Sequence, residues 1–572
     1  MLLLRLALRN LLRQKRRNLM LGSAMAIGVA ILVTAGSFSA GVSDIMFNKI
    51  MRFITGHVAV RFNERGGVMR EIFRDRGRIL AAVQGDPLIE EWYESVAMFA
   101  RAIGNGKSDN IILVGMDASK GEATRADWEA SFRLVEGDWA SLVDGTLENP
   151  AVFSQEKARS LNVKMGDVVR VRFRDMFGQD QAARLTVAGI MRNDNIFMQP
   201  VVFLELERCK RVLGYRPHET ASLSLQLKDA RRDAAAVAAR LHARLAPGTA
   251  VIPASAGGRP VRLYGYRSDP GSREKLLASL RLKAGSQERA LRRDGVLVPE
   301  GLAAALRLSP GGKLKVSWPR KFGEGPAEAS LTVSAVYAGG PPGAPVLLND
   351  RLFYGLYYPD LPAVPSDPDP PAGWAALLSP EWTLLERTFT TEDYKKKYQE
   401  IARDKHRGTT VDVSTMYETA SDILKLEHVL NVITLSAVLI LFFIILLGVV
   451  NTLRMTIRER TREIGTARAI GMQRRDVRDL FLLETLLLTV FSSAAGVLAG
   501  FGAMALISAP VFHPKDNPLG MLLVDGRVYF LPTFAGIAAS VLLIIAIALA
   551  TAWFPARRAA AMSPAQALRH YG

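Results

Sequence analysis

Gly106-Lys107-Ser108 has the residue types that close a phosphate-binding P-loop. That motif also needs a glycine five residues before its second glycine, because both turns bring backbone N–H groups to the phosphates. The residue at that position is Arg101. The tripeptide therefore predicts a surface turn and not a nucleotide site.

Cysteine and histidine, which serve as nucleophiles and metal ligands, are sparse. Cys209 is the single cysteine, so an intramolecular disulfide and a cysteine-based zinc site are excluded, and a buried apolar role is expected. The seven histidines are far apart and lack metal-ligand spacing. HExxH and GxSxG sequences are also missing. The sequence predicts no enzyme, no bound cofactor and no metal in this chain.

A more specific pattern lies in residues 454–483, which read RMTIRERTREIGTARAIGMQRRDVRDLFLL. Ile457, Ile464 and Ala467 fall on one helical face, and charged residues fall on another. Gly471 is predicted to end this helix, and a second helix follows it. Taken alone, the pattern fits an ordinary basic loop or a helix that docks on a partner equally well.

Four segments have no Asp, Glu, Lys or Arg over more than the ~20 residues needed to cross a bilayer. They are Leu19–Ser43, His428–Leu453, Thr485–Pro514 and Val528–Ala556. We predict four transmembrane helices, at 18–44, 428–453, 480–512 and 529–555, with a short external loop at 513–528. The first segment is too long for a signal-peptide core and no cleavage site follows it, so it is predicted to stay uncleaved.

The basic residues orient these helices. The chain has a net charge of +18, which by itself would raise nucleic acid as a partner. However, residues 1–17, 454–479 and 556–572 together carry 13 of those charges, and alternate crossing puts all three pieces on one side. Positive charge marks the cytoplasmic side. The charge is thereby explained without nucleic acid, and residues 45–427 are predicted to lie outside.

The membrane segments carry further patterns. Residues 1–17 alternate leucine and arginine at helical spacing, which is typical of an amphipathic helix in the membrane interface. Small residues at helix-packing spacing predict close helix contacts, and these are Gly36, Ala40, Gly496 and Gly500. Glu484 lies at the cytoplasmic edge of the third span, where a snorkelling or capping role is expected rather than a role in transport.

The external region contains an internal repeat at an offset of about 145 residues. AVFSQEKARSLNVKMGDVVRVRF (151–173) aligns with VLVPEGLAAALRLSPGGKLKVSW (296–318), and shorter matches lie on both sides in the same order. Each copy predicts a short helix, a glycine turn and alternating strands. The predicted β-rich modules cover about 105–215 and 255–360.

Strand–helix–strand (βαβ) units are predicted around the modules. They cover 57–60, 74–84 and 96–102; then 223–227, 229–245 and 249–252; then 382–387, 391–405 and 410–413. The predicted fold is therefore an α-helical membrane protein with four transmembrane helices. Between spans one and two it carries a large α+β extracytoplasmic domain that contains a tandem duplication.

Several segments resemble the FtsX-like permeases of the MacB/LolC/LolE type, which are ABC-transporter subunits. The run ERTREIG (459–465) followed by RAIGM (468–472) is similar to the loop after their second span. LALRNLLRQKRRN (6–18) and PARRAAAMSPAQALRHYG (555–572) are similar to their two ends, and GMDASKGEATRADWEASFRLVEG (115–137) resembles the external domain of the lipoprotein-releasing members. The family carries one β-rich insert, whereas two are predicted here.

The resemblance implies a permease subunit that works by mechanotransmission in the bacterial inner membrane. Its implied partners are a cytoplasmic dimer of ATPase subunits that bind the ATP, a second permease subunit (itself or a relative), membrane lipids, and a lipoprotein or other hydrophobic substrate. The alternative implied by the cell-division members is a signalling subunit that regulates an extracytoplasmic enzyme. The matching loop would be the coupling helix that docks on the ATPase, through Arg458, Glu459, Arg460, Glu463, Ile464, Gly465, Arg468, Ala469, Gly471 and Met472.

Overall fold

The structure of this chain is a computed structural model. It describes residues 2–13, 15–65, 69–117, 132–175, 178–192, 199–287, 295–320, 325–339, 343–360, 366–367, 373–388, 392–393, 395–397, 399, 408–512, 523–524 and 526–562.

The described helices include several that extend past the bounds predicted for them. They are α1 (Leu2–Arg13), α2 (Lys15–Asp44), α3 (Arg52–Thr55), α4 (Arg76–Val83), α5 (Gln155–Leu161), α6 (Leu206–Leu213), α7 (Ala230–Arg244), α8 (Pro270–Ser279), α9 (Glu300–Ala305), α10 (Asp350–Asp360), α11 (Met416–Thr419), α12 (Ser421–Glu459), α13 (Thr461–Ala469), α14 (Arg474–Ser508) and α15 (Phe534–Ala561). A π-helix, Ile45–Met51, continues α2, and a 3-10 helix covers Trp139–Val143.

The strands fall almost entirely between α3 and α11. They are β1 (Val58–Arg65), β2 (Met69–Arg70), β3 (Ile89–Ile103), β4 (Ser108–Met116), β5 (Leu134–Gly137), β6 (Pro150–Ser154), β7 (Val168–Arg174), β8 (Asp180–Met191), β9 (Val201–Glu205), β10 (Ser222–Leu227), β11 (Thr249–Ala256), β12 (Arg259–Tyr266), β13 (Arg281–Ala284), β14 (Gly295–Pro299), β15 (Lys313–Pro319), β16 (Pro326–Ala338), β17 (Val346–Asn349), β18 (Ser366–Asp367), β19 (Thr383–Leu384), β20 (Gly408–Thr415), β21 (Leu523–Val524) and β22 (Arg527–Val528).

The chain divides into two compact units. The membrane unit comprises residues 1–50 and 422–572, and the external unit comprises residues 51–193 and 197–421. The membrane unit is built on α2, α14 and α15, whose buried side chains form one apolar cluster, Val29, Leu32, Val33, Met504 and Ile544. Among the described residues, three helical segments are long and apolar enough to cross a membrane: Lys15–Asn48, Arg474–Ser508 and Phe534–Ala561.

The predicted span at 428–453 lies within α12, a helix of 39 residues. Many of its side chains fall outside the described part of the chain, so this fourth crossing stays a prediction. α12 is longer than the predicted span at both ends. Charged residues end a hydrophobic stretch without ending a helix, because Glu, Lys and Arg are good helix formers.

A frame of three antiparallel strands supports the external unit. β1 pairs with β10 on one side and with β20 on the other. Two helices cover this frame, α4 and α7, and their apolar residues share a core with the strands, including Val60, Ile79, Leu225, Val237 and Val413. This frame is the part of the external unit that both β-rich modules extend from.

The first module is a closed ring of six strands. Its order is β3–β4–β9–β6–β8–β7 and back to β3, with parallel pairs at β4–β9 and β6–β8. β5 adds to β8 outside the ring. The ring encloses a core of alternate side chains from its strands, such as Val169, Val171 and Phe173 of β7.

The second module repeats this ring strand for strand. Its order is β11–β12–β17–β14–β16–β15 and back to β11, again with parallel pairs at the second and fourth positions. β13 adds to β16 as β5 adds to β8. The backbone also repeats, since Asn162 and Arg307, which lie 145 residues apart, both have left-handed φ values, of 55° and 52°.

The structure corrects the predicted boundaries of the modules. Each ring begins earlier than predicted, at Ile89 and Thr249, because β3 and β11 close the rings. The strand at 249–252 therefore belongs to the second ring and does not complete a βαβ unit with β10. In the last predicted unit only Thr383–Leu384 of 382–387 is a strand, and most of 391–405 lies outside the described residues.

Candidate functional site

The predicted docking loop contains a separate short helix, α13, between two long helices. Arg460 separates α12 from α13, although its N–H still donates to the carbonyl oxygen of Thr456. Gly471 ends the helical segment with φ at 114°, a left-handed value that a residue with a side chain adopts only with strain. α14 then begins after Gln473, whose side chain exchanges hydrogen bonds with Asp476 in a capping box. The predicted helix break at Gly471 agrees with the structure.

One face of α13 is anchored to the membrane unit. Ile464 and Gly465 are buried, and Ile464 packs in a cluster with Val477, Phe481 and the end of α15. The guanidinium of Arg468 donates to the carbonyl oxygens of Ala560 and Met562, at 2.8 and 2.9 Å. These carbonyls lie at the carboxyl end of α15, where a positive charge is favoured.

Arg460 forms a second anchor at the start of α13. Its guanidinium donates to Glu484 Oε1 at 3.0 Å, and Asn10 of α1 donates to the same oxygen at 2.6 Å. The side chains of Arg460 and Glu484 are 9% and 13% exposed. Since a charge removed from water is stable only when it is paired, this contact holds α1, α13 and α14 together. Glu484, for which snorkelling or capping was expected, forms this ion pair in the structure.

The opposite face of α13 is open. Arg458, Glu459, Glu463, Ala469 and Gly471 are exposed, and Met472 is half-buried. Two of the acids carry salt bridges to the N-terminal helices, Glu459 to Arg17 at 3.2 Å and Glu463 to Arg13 at 3.3 Å. Such exposed pairs contribute little stability and leave both groups accessible.

The predicted docking residues therefore separate into two sets. Arg460, Ile464, Gly465 and Arg468 face the membrane unit and position the helix, so they do not present a docking surface. Ile470, which is not among the predicted docking residues, is 84% exposed just after α13. In the sequence, Ile470 is an apolar residue that does not fall on the helical face shared by Ile457 and Ile464.

The predicted helix-packing residues differ in how closely they approach a neighbouring helix. A Cβ on Gly496 would lie 2.5 Å from the carbonyl oxygen of Ala26, so α14 and α2 make close backbone contact there. Gly500 faces Ala30 and Val33 of α2 at 3.4 Å. Gly36 has nothing within 4 Å of a built Cβ, and Ala40 is half-buried. The predicted close contact at Gly36 is therefore not made among the described residues, because that position lies on an open face of α2.

An apolar groove of about 1580 Å³ also lies in the membrane unit. It is lined by α1, α2 and α14, including Leu12, Ile27 and Phe491, and it continues to Phe530. Lys15 and Arg16 stand at the end nearest α1. A groove with this lining fits an acyl chain with a polar head group at the basic end.

Two family models match the chain. The model described as "FtsX-like permease C-terminal" matches residues 435–564, which contain most of α12 and all of α13, α14 and α15. The model described as "MacB-like periplasmic core domain" matches residues 22–244, which contain the frame strands β1 and β10 and the first ring. The two matches place an FtsX-like permease C-terminal region and a MacB-like periplasmic core domain in this chain. The second ring lies beyond both matched ranges.

Individual relatives align with parts of this chain. The uncharacterized ABC transporter permease YknZ of Bacillus subtilis is 29% identical over 177 residues, which cover 31% of this chain and 41% of the relative. The macrolide export ATP-binding/permease protein MacB of Chlorobaculum tepidum is 30% identical over 22% of this chain and 17% of the relative. The chain thus spans less than half of these relatives.

Solved structures align at low similarity. The extracellular domain of the noncanonic ABC-type transporter YknZ from Gram-positive bacteria aligns over 32% of this chain and 93% of that chain, with 14% identity and a TM-score of 0.22.

Proposed function

We propose that this permease is the transmembrane subunit of an ABC transporter that works by mechanotransmission. In this proposal a separate dimer of ATPase subunits binds ATP and docks on the open face of α13. A second permease subunit completes the complex in the bacterial inner membrane. The observation that carries the proposal is the division of α13 into an anchored face and an open face.

The anchored face supports coupling because it ties α13 to several helices. Arg468 bonds to the end of α15, and Arg460 bonds to Glu484 of α14, which also accepts a hydrogen bond from Asn10 of α1. A push on the open face would then move these helices together, since packed and hydrogen-bonded elements shift as bodies.

We further propose a hydrophobic substrate, with lipoprotein as the first candidate. The supporting observation is the apolar groove between α1, α2 and α14, which is large enough for an acyl chain. A role in signalling to an external enzyme would need no such groove.

The test is an affinity pull-down of the full chain from its host membranes in mild detergent. The unmodified chain should recover a subunit with a Walker motif. Ile470→Glu should lower this recovery at least tenfold, because it places a charge where an apolar contact is expected. Glu463→Arg should keep the fold but uncouple ATP hydrolysis from transport.

Arg527→Glu is the matched control, since Arg527 is an exposed residue of the membrane unit in β22, far along the chain from α13. It should leave recovery unchanged. Equal recovery with Ile470→Glu and with the unmodified chain would show that α13 is not the docking helix. Absence of any ATPase from every pull-down would overturn the proposed function itself.

A further inference from the structure

A cavity of about 1270 Å³ opens at one end of the second ring. It is lined by the turn between β11 and β12, by the end of β15 and by the start of β16. Three arginines contribute to the lining, Arg259, Arg262 and Arg320, and all three are exposed. The described lining residues include no Asp or Glu, so the described part of the lining has a net positive charge.

At two equivalent positions, the first ring carries acidic residues instead of arginine. In the strand registers, Asp109 pairs with Ala102 as Arg259 pairs with Ala256, so Asp109 and Arg259 hold equivalent positions. Asp175 follows β7 as Arg320 follows β15, at the repeat offset. Two carboxylates in the first ring thus correspond to two guanidinium groups in the second.

The first ring uses its carboxylate internally. Lys157 Nζ and Ser160 Oγ both donate to Asp109 Oδ2 at 2.7 Å, and this ties α5 to β4. In the second ring, the residue equivalent to Lys157 is Leu302, which lines the cavity. The internal ion pair has therefore been replaced by an apolar wall beside an arginine.

We propose that this cavity binds an acidic peptide segment of a partner protein outside the membrane. Its volume exceeds the roughly 300–1,000 Å³ of typical small-molecule pockets. Clustered arginines are the usual means of recognising acidic motifs, because the guanidinium donates two parallel hydrogen bonds to a carboxylate. The proposal goes beyond the ATP-driven function and does not depend on it.

The walls of the cavity suit a peptide better than a free anion. Proline residues from six different strands or turns line it: Pro253, Pro260, Pro299, Pro319, Pro326 and Pro345. Trp318 and Tyr264, which are both buried, also contribute to the lining, and both residue types, like arginine, are enriched in protein interfaces.

The test measures binding of fluorescent decapeptides to the purified full chain in detergent, without ATP. A peptide that alternates Glu and Leu should bind, and its Lys and Leu counterpart should not. Arg259→Asp/Arg320→Asp, which copies the charges of the first ring, should weaken binding of the acidic peptide at least tenfold. Arg259→Gln/Arg320→Gln should weaken it to a smaller extent, and raising the salt concentration should weaken binding to the unmodified chain.

Arg281→Asp/Lys315→Asp is the matched control, because it makes the same change of charge at exposed positions of the same ring outside the cavity. Unchanged thermal unfolding would show that each variant is folded. Equal loss of binding in the cavity and control variants would overturn the proposal, since net charge alone would then explain it. Binding to vesicles of anionic lipid through the same arginines, with no peptide binding, would also overturn it.

Discussion

At the scale of the residue, His57 stands just before β1 and is 7% exposed. The N–H of Leu227 donates to His57 Nδ1 at 2.9 Å, so the ring accepts a hydrogen bond as a neutral imidazole. Burial, and next the nearby Arg52 charge, lower the pKa of His57 from 6.5 to about 4. His57 is therefore neutral in the folded protein at neutral pH.

This lowered pKa predicts a loss of stability in mild acid. Above pH 6.5 both the folded and the unfolded chain have a neutral His57. As the pH falls from about 6.5 to about 4, only the unfolded chain takes up the proton, which costs the folded state about 2–3 kcal/mol. Thermal unfolding of the external unit, followed in the full chain between pH 7.5 and 4, should show this loss.

His57→Gln is the comparison for this prediction, because the glutamine carbonyl can accept the bond from Leu227 without titrating. Its unfolding temperature should fall less between pH 6.5 and 4 than that of the unmodified chain. The same pH dependence in both proteins would show that His57 does not set it.

Arg460 and Arg468 show how far individual residues could be predicted. Their sequence places them in a basic loop, where arginine is expected to face solvent or a partner. The structure turns both inward, to Glu484 and to the carbonyls of Ala560 and Met562. These acceptors lie on other helices, and a helical pattern within one segment carries no information about them.

At the scale of the element, Gly496 sets how closely α14 approaches α2. A methyl group there would lie 2.6 Å from the Cβ of Val29 and 2.5 Å from the carbonyl oxygen of Ala26. Because the nearer atom belongs to the backbone, the helices must separate to admit it. Gly496→Ala should destabilise the membrane unit by about 1–3 kcal/mol, as overpacking does elsewhere.

Gly502→Ala is the control on the same helix, since nothing lies within 4 Å of a Cβ built there. Gly36→Ala, on α2, is a second control for the same reason. Thermal unfolding in detergent should separate Gly496→Ala from both. Equal unfolding temperatures for all three variants would argue against close packing of α2 on α14.

Most helices and strands were predictable from local sequence patterns. The repeat at 151–173 and 296–318 was visible because each copy needs the same helix, glycine turn and alternating strand. Ring closure was not visible, because β3 and β11 join strands from much later in the chain. Pairing between distant strands leaves no local periodicity for a sequence to show.

At the scale of the whole molecule, the crossing of α12 decides which side α13 lies on. If α12 spans the membrane, α13 and the external unit are on opposite sides. If it does not, both are on the same side.

The single cysteine, Cys209, is fully buried, and burial raises the pKa of its thiol to about 12, so the unmodified chain should react little with maleimides.

Single cysteines introduced at exposed positions can therefore report topology. Lys107→Cys lies in the turn between β3 and β4, and Thr466→Cys lies on α13. In spheroplasts, a membrane-impermeant maleimide should label Lys107→Cys and should label Thr466→Cys only after the membrane is opened. Labelling of both in closed spheroplasts would show that α12 does not cross.

The second ring begins and ends at the same place in the external unit. Gly248 N donates to Glu381 Oε2, and the N–H of Glu381 donates back to the carbonyl oxygen of Gly248, at 3.2 and 3.0 Å. Thr249 also bridges to Pro380. A chain that leaves and returns at one point can gain or lose everything in between without disturbing what lies on either side. The six ring strands are each paired on both edges, so the ring itself has no open strand edge on which copies could aggregate. The charge of the second module can therefore change without any change in the frame or in the first ring.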